Sequence, residues 1–244
     1  MNRRTNTSLT LCALLLTSVG TSSPAGAVDL AVDSIMYQDP LLIIAPFQIE
    51  FADDLKPIWL KAIAHADAET RRLALDTLTL AFDRGMKGLE DTTPVVVDVL
   101  NQDRDVLVRR AAARVLVTLD RQEAAPSLAA AAKSDGLLMA QISEPALARW
   151  GDATLRDTWI ERAGRPTGER AYLILALRAL ETVREARAVE PLTKIVKDSY
   201  LDAEVRVAAA RALGQVAETG LVELAAELSQ TSGRPAHLGR LLAV

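Results

Sequence analysis

Residues that build most small active sites are scarce in this chain. Its 244 residues include one cysteine, Cys12, and two histidines, His65 and His237. One thiol excludes an internal disulfide and any paired-cysteine metal site. The histidines lie near opposite ends of the repeated region described below, so they are not expected to meet. Aromatic residues make up only 4% of a chain that is 50% apolar, so the core is mostly Ala, Leu and Val, which suits close helix–helix packing. With 12 glycines and 10 prolines, the composition is neither collagen-like nor that of a disordered chain. There is no His-Glu-x-x-His, no glycine-rich phosphate loop and no Gly-x-Ser-x-Gly. We therefore expect no catalytic residue, no cofactor and no metal. His65-Ala66-Asp67 and the acidic group Glu50, Asp53 and Asp54 are better explained as solvated turns than as metal sites.

What is present is repetition. Asp202-Ala-Glu-Val-Arg-Val-Ala-Ala-Ala-Arg-Ala-Leu213, with Gly214 closing it, matches Asp105-Val-Leu-Val-Arg-Arg-Ala-Ala-Ala-Arg-Val-Leu116 without a gap. Eight of the twelve positions are identical, among them Asp105/Asp202, Val108/Val205, Arg109/Arg206, Ala112/Ala209, Arg114/Arg211 and Leu116/Leu213. A fainter copy runs from Asp67 through Arg71 and Ala74 to Leu78. Taking Leu78, Leu116, Trp150, Leu180 and Leu213 as equivalents gives spacings of 38, 34, 30 and 33 residues, the length of two helices and two turns. Helix–turn–helix pairs are expected from Pro57 onward. The stretch 83–93 is the longest linker and has the look of an insertion. The third repeat is degenerate: Pro145 predicts a kink, or a helix starting only near Glu144. In this alignment Ser143 and Leu173 replace the repeated arginine.

Asp202-x-x-Val205-Arg206-x-Ala208-Ala209-x-x-Ala212-Leu213-Gly214 resembles the second-helix signature of HEAT repeats, in particular the short phycobilisome-lyase-type group. The resemblance covers about residues 57–228 and is fullest in the second and fifth repeats. It implies an all-α fold, an α-solenoid of about five HEAT-like helical pairs plus a partial sixth, that holds partners on its concave face. The repeated residues themselves have structural work. Asp105 and Asp202 precede a helix and suit capping. Ala208, Ala209 and Ala212 permit close packing. Arg109 and Arg206 reach the preceding turn or the next repeat's acid, forming a polar ladder. A competing reading puts Arg71, Arg109, Arg114, Arg206 and Arg211 along a groove for acidic ligands. The ladder is the stronger of the two.

Three segments follow from patterning. Residues 1–27 have the layout of a signal peptide, with Arg3 and Arg4, an apolar run from Leu9 to Val19, and Ala25-Gly26-Ala27 before the cleavage point. Residues 28–56 form an extended lead, with Leu41-Leu42-Ile43-Ile44 and alternating Phe47, Ile49 and Phe51, expected to cap the first pair. Residues 57–244 form the solenoid. There Gly233-Arg234-Pro235 interrupts a sixth pair, and the tail either folds back as a cap or leads into a longer array. Removing 1–27 takes away two arginines and no acid, leaving 26 basic against 32 acidic residues, a net charge of −6. An acidic exported chain is a poor partner for nucleic acid. The expectation is an exported, periplasmic or extracellular, non-catalytic scaffold for a protein or peptide, with no membrane span after cleavage. A bilin-lyase-like or other accessory activity is the alternative that the resemblance brings with it.

Overall fold

The structure, a computed structural model, describes residues 51–230. The expected signal peptide, residues 28–50 of the lead, and the tail 231–244 with His237 lie outside the described residues. Among the described residues there are helices and no strand: α1 (Lys56–Ile63), α2 (Ala68–Asp83), α3 (Thr93–Gln102), α4 (Val106–Thr118), α5 (Ala125–Ser134), α6 (Leu137–Arg149), α7 (Arg156–Gly164), α8 (Arg170–Val183), α9 (Val189–Lys197), α10 (Ala203–Val216) and α11 (Leu221–Gln230). They form five pairs and the first helix of a sixth.

Each helix begins for a local reason. Single 3-10 turns at Asp53–Leu55, Glu90–Thr92 and Gln122–Ala124 lead into α1, α3 and α5, whose first turns contain Pro57, Pro94 and Pro126. Proline fits there because its φ is helical and its missing N–H has no partner to lose. Three of the second helices, α2, α4 and α10, start on a capping aspartate instead. Asp67 accepts from the Thr70 amide at 2.7 Å, Asp105 from the Leu107 amide at 2.7 Å, and Asp202 from the Glu204 amide at 2.8 Å. These caps satisfy N–H groups that would otherwise stay open.

The second helices α2, α4, α6, α8 and α10 pack in succession into one continuous layer. The first helices form the other layer, joined in twos, α3 to α5 and α7 to α9, while α5 and α7 meet weakly at most. A stack held closely on one side and loosely on the other curves toward the close side, so the second helices line the inner face. Alanine makes the close side possible: Ala111, Ala112, Ala113, Ala209 and Ala212 are buried, and the leucines of each repeat fill the space between the layers.

Three sequence expectations change, while the 83–93 stretch remains the longest linker between pairs. It is packed rather than loose, since Leu89 is fully buried and Lys56 Nζ ties the linker to α1 through the Gly88 carbonyl at 2.9 Å and Asp91 at 2.7 Å. The helix carrying Pro145 does not begin near Glu144. It runs unbroken from Leu137, with Pro145 in its interior and exposed, so the carbonyl it deprives, on exposed Gln141, faces water. Gly214 does not close its helix, because α10 continues to Val216.

The third repeat is also shifted in register. Gly136 caps α6, which places Leu147, wholly buried, at the position of Leu116, and Ala140 at the position of Arg109. Trp150 lies beyond, half-buried, with its indole N–H donating to Asp120 at 2.6 Å. A large aromatic looks like the core anchor in sequence, but the polar edge of indole needs an acceptor that the core lacks. The corrected spacings are 38, 31, 33 and 33 residues. Ser143 then occupies the place of Ala112, buried and with its hydroxyl unpaired. Truncating Leu147 to Ala should therefore cost about 2–5 kcal/mol, as for other buried leucines, and more than Trp150→Phe, which keeps the ring bulk. Urea titrations of both variants check the ranking.

Candidate interaction face

The repeated arginines fall into two groups. Arg71 forms a bidentate pair with Asp103 at 2.7 and 2.9 Å and donates Nη1 to the Ala66 carbonyl at 2.8 Å. Arg109 acts likewise one repeat on, through a single bond from Nε to Asp135 at 2.6 Å and one from Nη1 to the Asp103 carbonyl at 2.8 Å. Each guanidinium thus holds the turn of its own repeat and the acid of the next. The Arg71 hydrogen bonds hold the Asp103 carboxyl below its ordinary value, and those of Arg109 do so for Asp135, against the opposing effect of burial. Arg206 is buried and donates only to the Val196 carbonyl, in the last turn of α9 within its own pair, at 2.9 and 3.1 Å.

Where the ladder lacks its arginine, at Ala140 and Leu173, other charges join the repeats. Glu144 of α6, almost fully buried, accepts from Arg162 at 2.8 Å and from the Trp159 indole at 3.0 Å, both on α7. Arg187 pairs with Asp157 at 2.9 Å, and Arg170 with Asp202 at 3.4 Å and also with Glu204. Beside the Glu144 pair a cavity of about 400 Å³ opens at the weak α5–α7 joint, lined by Lys133, Arg162, Arg165, Glu169 and Tyr172. The Arg162 guanidinium lies over the Tyr172 ring, 4.6 Å from its centre.

Arg114 and Arg211 take no part in the ladder. With the corrected register, Asp76, Arg114, Pro145, Arg178 and Arg211 form one row across the inner layer. Arg72, Arg110, Gln141, Ile174 and Val207 form the next, followed by Glu69, Leu107, Leu138, Ala171 and Glu204. Arg72 is held by Glu69 and by Asp76 at 2.6 Å, and Arg114 by Asp76 at 2.7 Å. The side chains of Arg110, Arg178 and Arg211 make no hydrogen bond or ion pair among the described residues, and the Nε of Arg110 is buried without an acceptor. Leu107 and Leu138 are 52% and 54% exposed in the middle of this face. They lie in a groove of about 600 Å³ shared by α2, α4 and α6, together with Arg110, Arg114 and Ile142. Leu73 is exposed for a different reason: α2 is the first inner helix described, whereas the equivalent Ala111 on α4 is covered by its neighbour.

The groove reading of the sequence thus divides. Arg71, Arg109 and Arg206 are at the joints, Arg114 and Arg211 are on the face, and Arg110 and Arg178 were missed. Register could have found them, since Arg178 precedes Leu180 by the same two residues that separate Arg114 from Leu116. His65 accepts from the Asp67 amide at 3.1 Å, and Asp67 caps α2, so this turn satisfies itself. Among the described residues no group of His, Cys, Asp and Glu could hold a metal ion, and no helix is long and apolar enough to cross a membrane.

The fold is therefore an α-solenoid of stacked helical pairs. Residues 57–148, the first three pairs, match the family model described as HEAT repeats. The match does not extend to the fifth pair, although Asp202–Leu213 carries the signature most fully. No curated protein matches the chain. A crystal structure described as an engineered protein, from the Northeast Structural Genomics Consortium, is similar with a TM-score of 0.53 and 19% identity, over 78% of this chain and 95% of that one. At that identity the likeness concerns the fold alone.

The ladder carries a pH dependence. Asp103 and Asp135 titrate below 3.8 when folded and near it when unfolded, so the unfolded state binds more protons as acid is added. Their contribution is complete above about pH 5 and disappears as the pH falls through the unfolded value toward the folded ones. The thermal midpoint should stay level from about pH 7 to 5 and drop below about pH 4. Asp103→Asn should cost about 2 kcal/mol at neutral pH, and its acid-side decline should be shallower. Calorimetry across that pH range reads both effects.

Proposed function

We propose that this chain is an exported, non-catalytic scaffold that holds a protein or peptide partner on the inner face formed by α2, α4, α6, α8 and α10. The observation that carries the reading is the combination on that face of exposed Leu107 and Leu138 with arginines whose side chains have no acceptor among the described residues. Exposed apolar side chains beside unpaired charges on a preformed groove favour recognition of another chain. Export rests on Arg3, Arg4, the apolar run Leu9–Val19 and Ala25-Gly26-Ala27, the tripartite pattern of a secretory leader. The acidic balance of the chain supports a protein partner over nucleic acid.

A photo-crosslinking residue placed at Leu138 should trap a defined protein in extracts of the envelope, and one at Val95 on the outer layer should trap far less. Equal or stronger capture from Val95 would move the binding surface off the inner face. Covalent attachment or release of a tetrapyrrole by the purified protein would instead establish an enzyme. Appearance of the mature chain in the cytoplasm with residues 1–27 retained would remove export from the proposal.

A further inference from the structure

Most inner-face arginines that sit near an acid are bound to it. Arg72 and Arg114 share Asp76, and Arg170 is held by Asp202 and Glu204. Arg110, Arg178 and Arg211 are different. The chain has 32 acids against 28 bases, yet none of these three side chains makes an ion pair among the described residues. Glu181, one turn from Arg178 on the same helix, makes none with it either. The cost of this arrangement is plainest at Arg110, whose Nε is shielded from water and still has no acceptor. Beside it, Leu107 and Leu138 stand half-exposed at the equivalent position of successive helices. A groove of about 600 Å³ contains all three side chains.

We propose that the inner face takes an extended acidic peptide segment of a partner protein, with carboxylates on Arg110, Arg178 and Arg211 and an apolar side chain between Leu107 and Leu138. This rests on the inner-face reading above and adds the chemistry of the partner. Charge complementarity names the acid, since a guanidinium with free donors binds a carboxylate through charge-assisted, often paired hydrogen bonds.

Spacing favours an extended chain. Neighbouring packed helices lie roughly 9 Å apart, and an extended peptide advances about 3.3 Å per residue. Carboxylates about three residues apart therefore match Arg178 on α8 and Arg211 on α10. Arg110 lies in the neighbouring row, whose α6 member is the uncharged Gln141, so about twice that interval, on a diagonal of one helical turn, bridges α4 to α8. Interleaved acids decide against a polyphosphate: Glu69, Asp76 and Glu204 share the same face and would repel an unbroken line of phosphates, whereas separated carboxylates pass between them.

The test uses the full chain and a fluorescein-labelled peptide with glutamate at every third position and leucine between, beside its glutamine counterpart and a labelled single-stranded oligonucleotide. Anisotropy should show binding of the glutamate peptide that weakens with added salt and is roughly tenfold tighter than that of the glutamine peptide. Arg110→Gln, Arg178→Gln and Arg211→Gln should each reduce affinity roughly tenfold, with the thermal midpoint unchanged for Arg178→Gln and Arg211→Gln and not lowered for Arg110→Gln, which removes a shielded donor that has no acceptor. Leu138→Ser should weaken both peptides.

Equal binding of the two peptides, or affinity unmoved by the three arginine substitutions, would overturn the acidic-partner inference while leaving the inner face as the binding surface. So would tighter binding of the oligonucleotide. If neither peptide binds but the Leu138 photo-crosslink still forms, the inference again fails alone. Loss of that crosslink in favour of Val95 would overturn the reading on which it rests.

Discussion

One guanidinium bound to two turns is the constraint on which the first half of the stack depends. Arg71 and Arg109 each satisfy carbonyls in the loop before their own helix and the carboxylate of the following repeat. A helical pair cannot bury its apolar face alone and needs a neighbour at a fixed distance and angle. Alanines on the inner helices set the distance, and the arginine fixes the angle, because a fork of donors tolerates little rotation of either partner. Beyond the third pair the same task passes to Glu144 with Arg162 and Trp159, the carboxylate now coming from the preceding repeat and the cation from the following one. Exchanging which repeat supplies which charge preserves the joint while changing its geometry, and the weak outer contact of α5 with α7 falls at this point.

Adjacent positions on a helix have opposite destinies here. Arg109 points into the joint and Arg110 onto the open face, because consecutive residues on an α-helix are about 100° apart. The same step separates Arg71, in the ladder, from Arg72, which is held by Glu69 and Asp76 on the surface. The ladder and the proposed recognition surface therefore occupy different sides of one helix. A substitution of Arg110 leaves the ladder intact, so under that proposal the preference for partners can change without loss of the fold.

Much of the fold was legible because repetition is a stronger signal than propensity. Asp105–Leu116 and Asp202–Leu213 declare the stacking unit, and Pro57, Pro94 and Pro126 mark where outer helices begin. Sequence failed where two physical demands compete for one residue. Trp150 has the bulk of a core anchor and the N–H of a surface group, and the N–H decides. Pro145 has the signature of a helix start, yet its ring and the carbonyl it leaves unpaired are both at the solvent side, so the helix absorbs it. The arginine face was half legible. Repeated Arg114 and Arg211 stood out, whereas Arg110 and Arg178 become members of the face only after α6 is placed in register.

The interrupted outer layer gives the stack a preferred direction of deformation. A beam with one continuous flange and one broken flange bends most easily about its breaks. Outer helices meet weakly at most at α1–α3, α5–α7 and α9–α11, and the break in the middle of the stack, between α5 and α7, lies beside a cavity of about 400 Å³. Flattening or tightening of the curve is concentrated at that hinge line, with the Glu144–Arg162 pair as its pin. The distance between Arg110 on one side and Arg178 and Arg211 on the other is then an adjustable gauge rather than a fixed ruler, and the curvature of the solenoid sets the length of chain that fits across it.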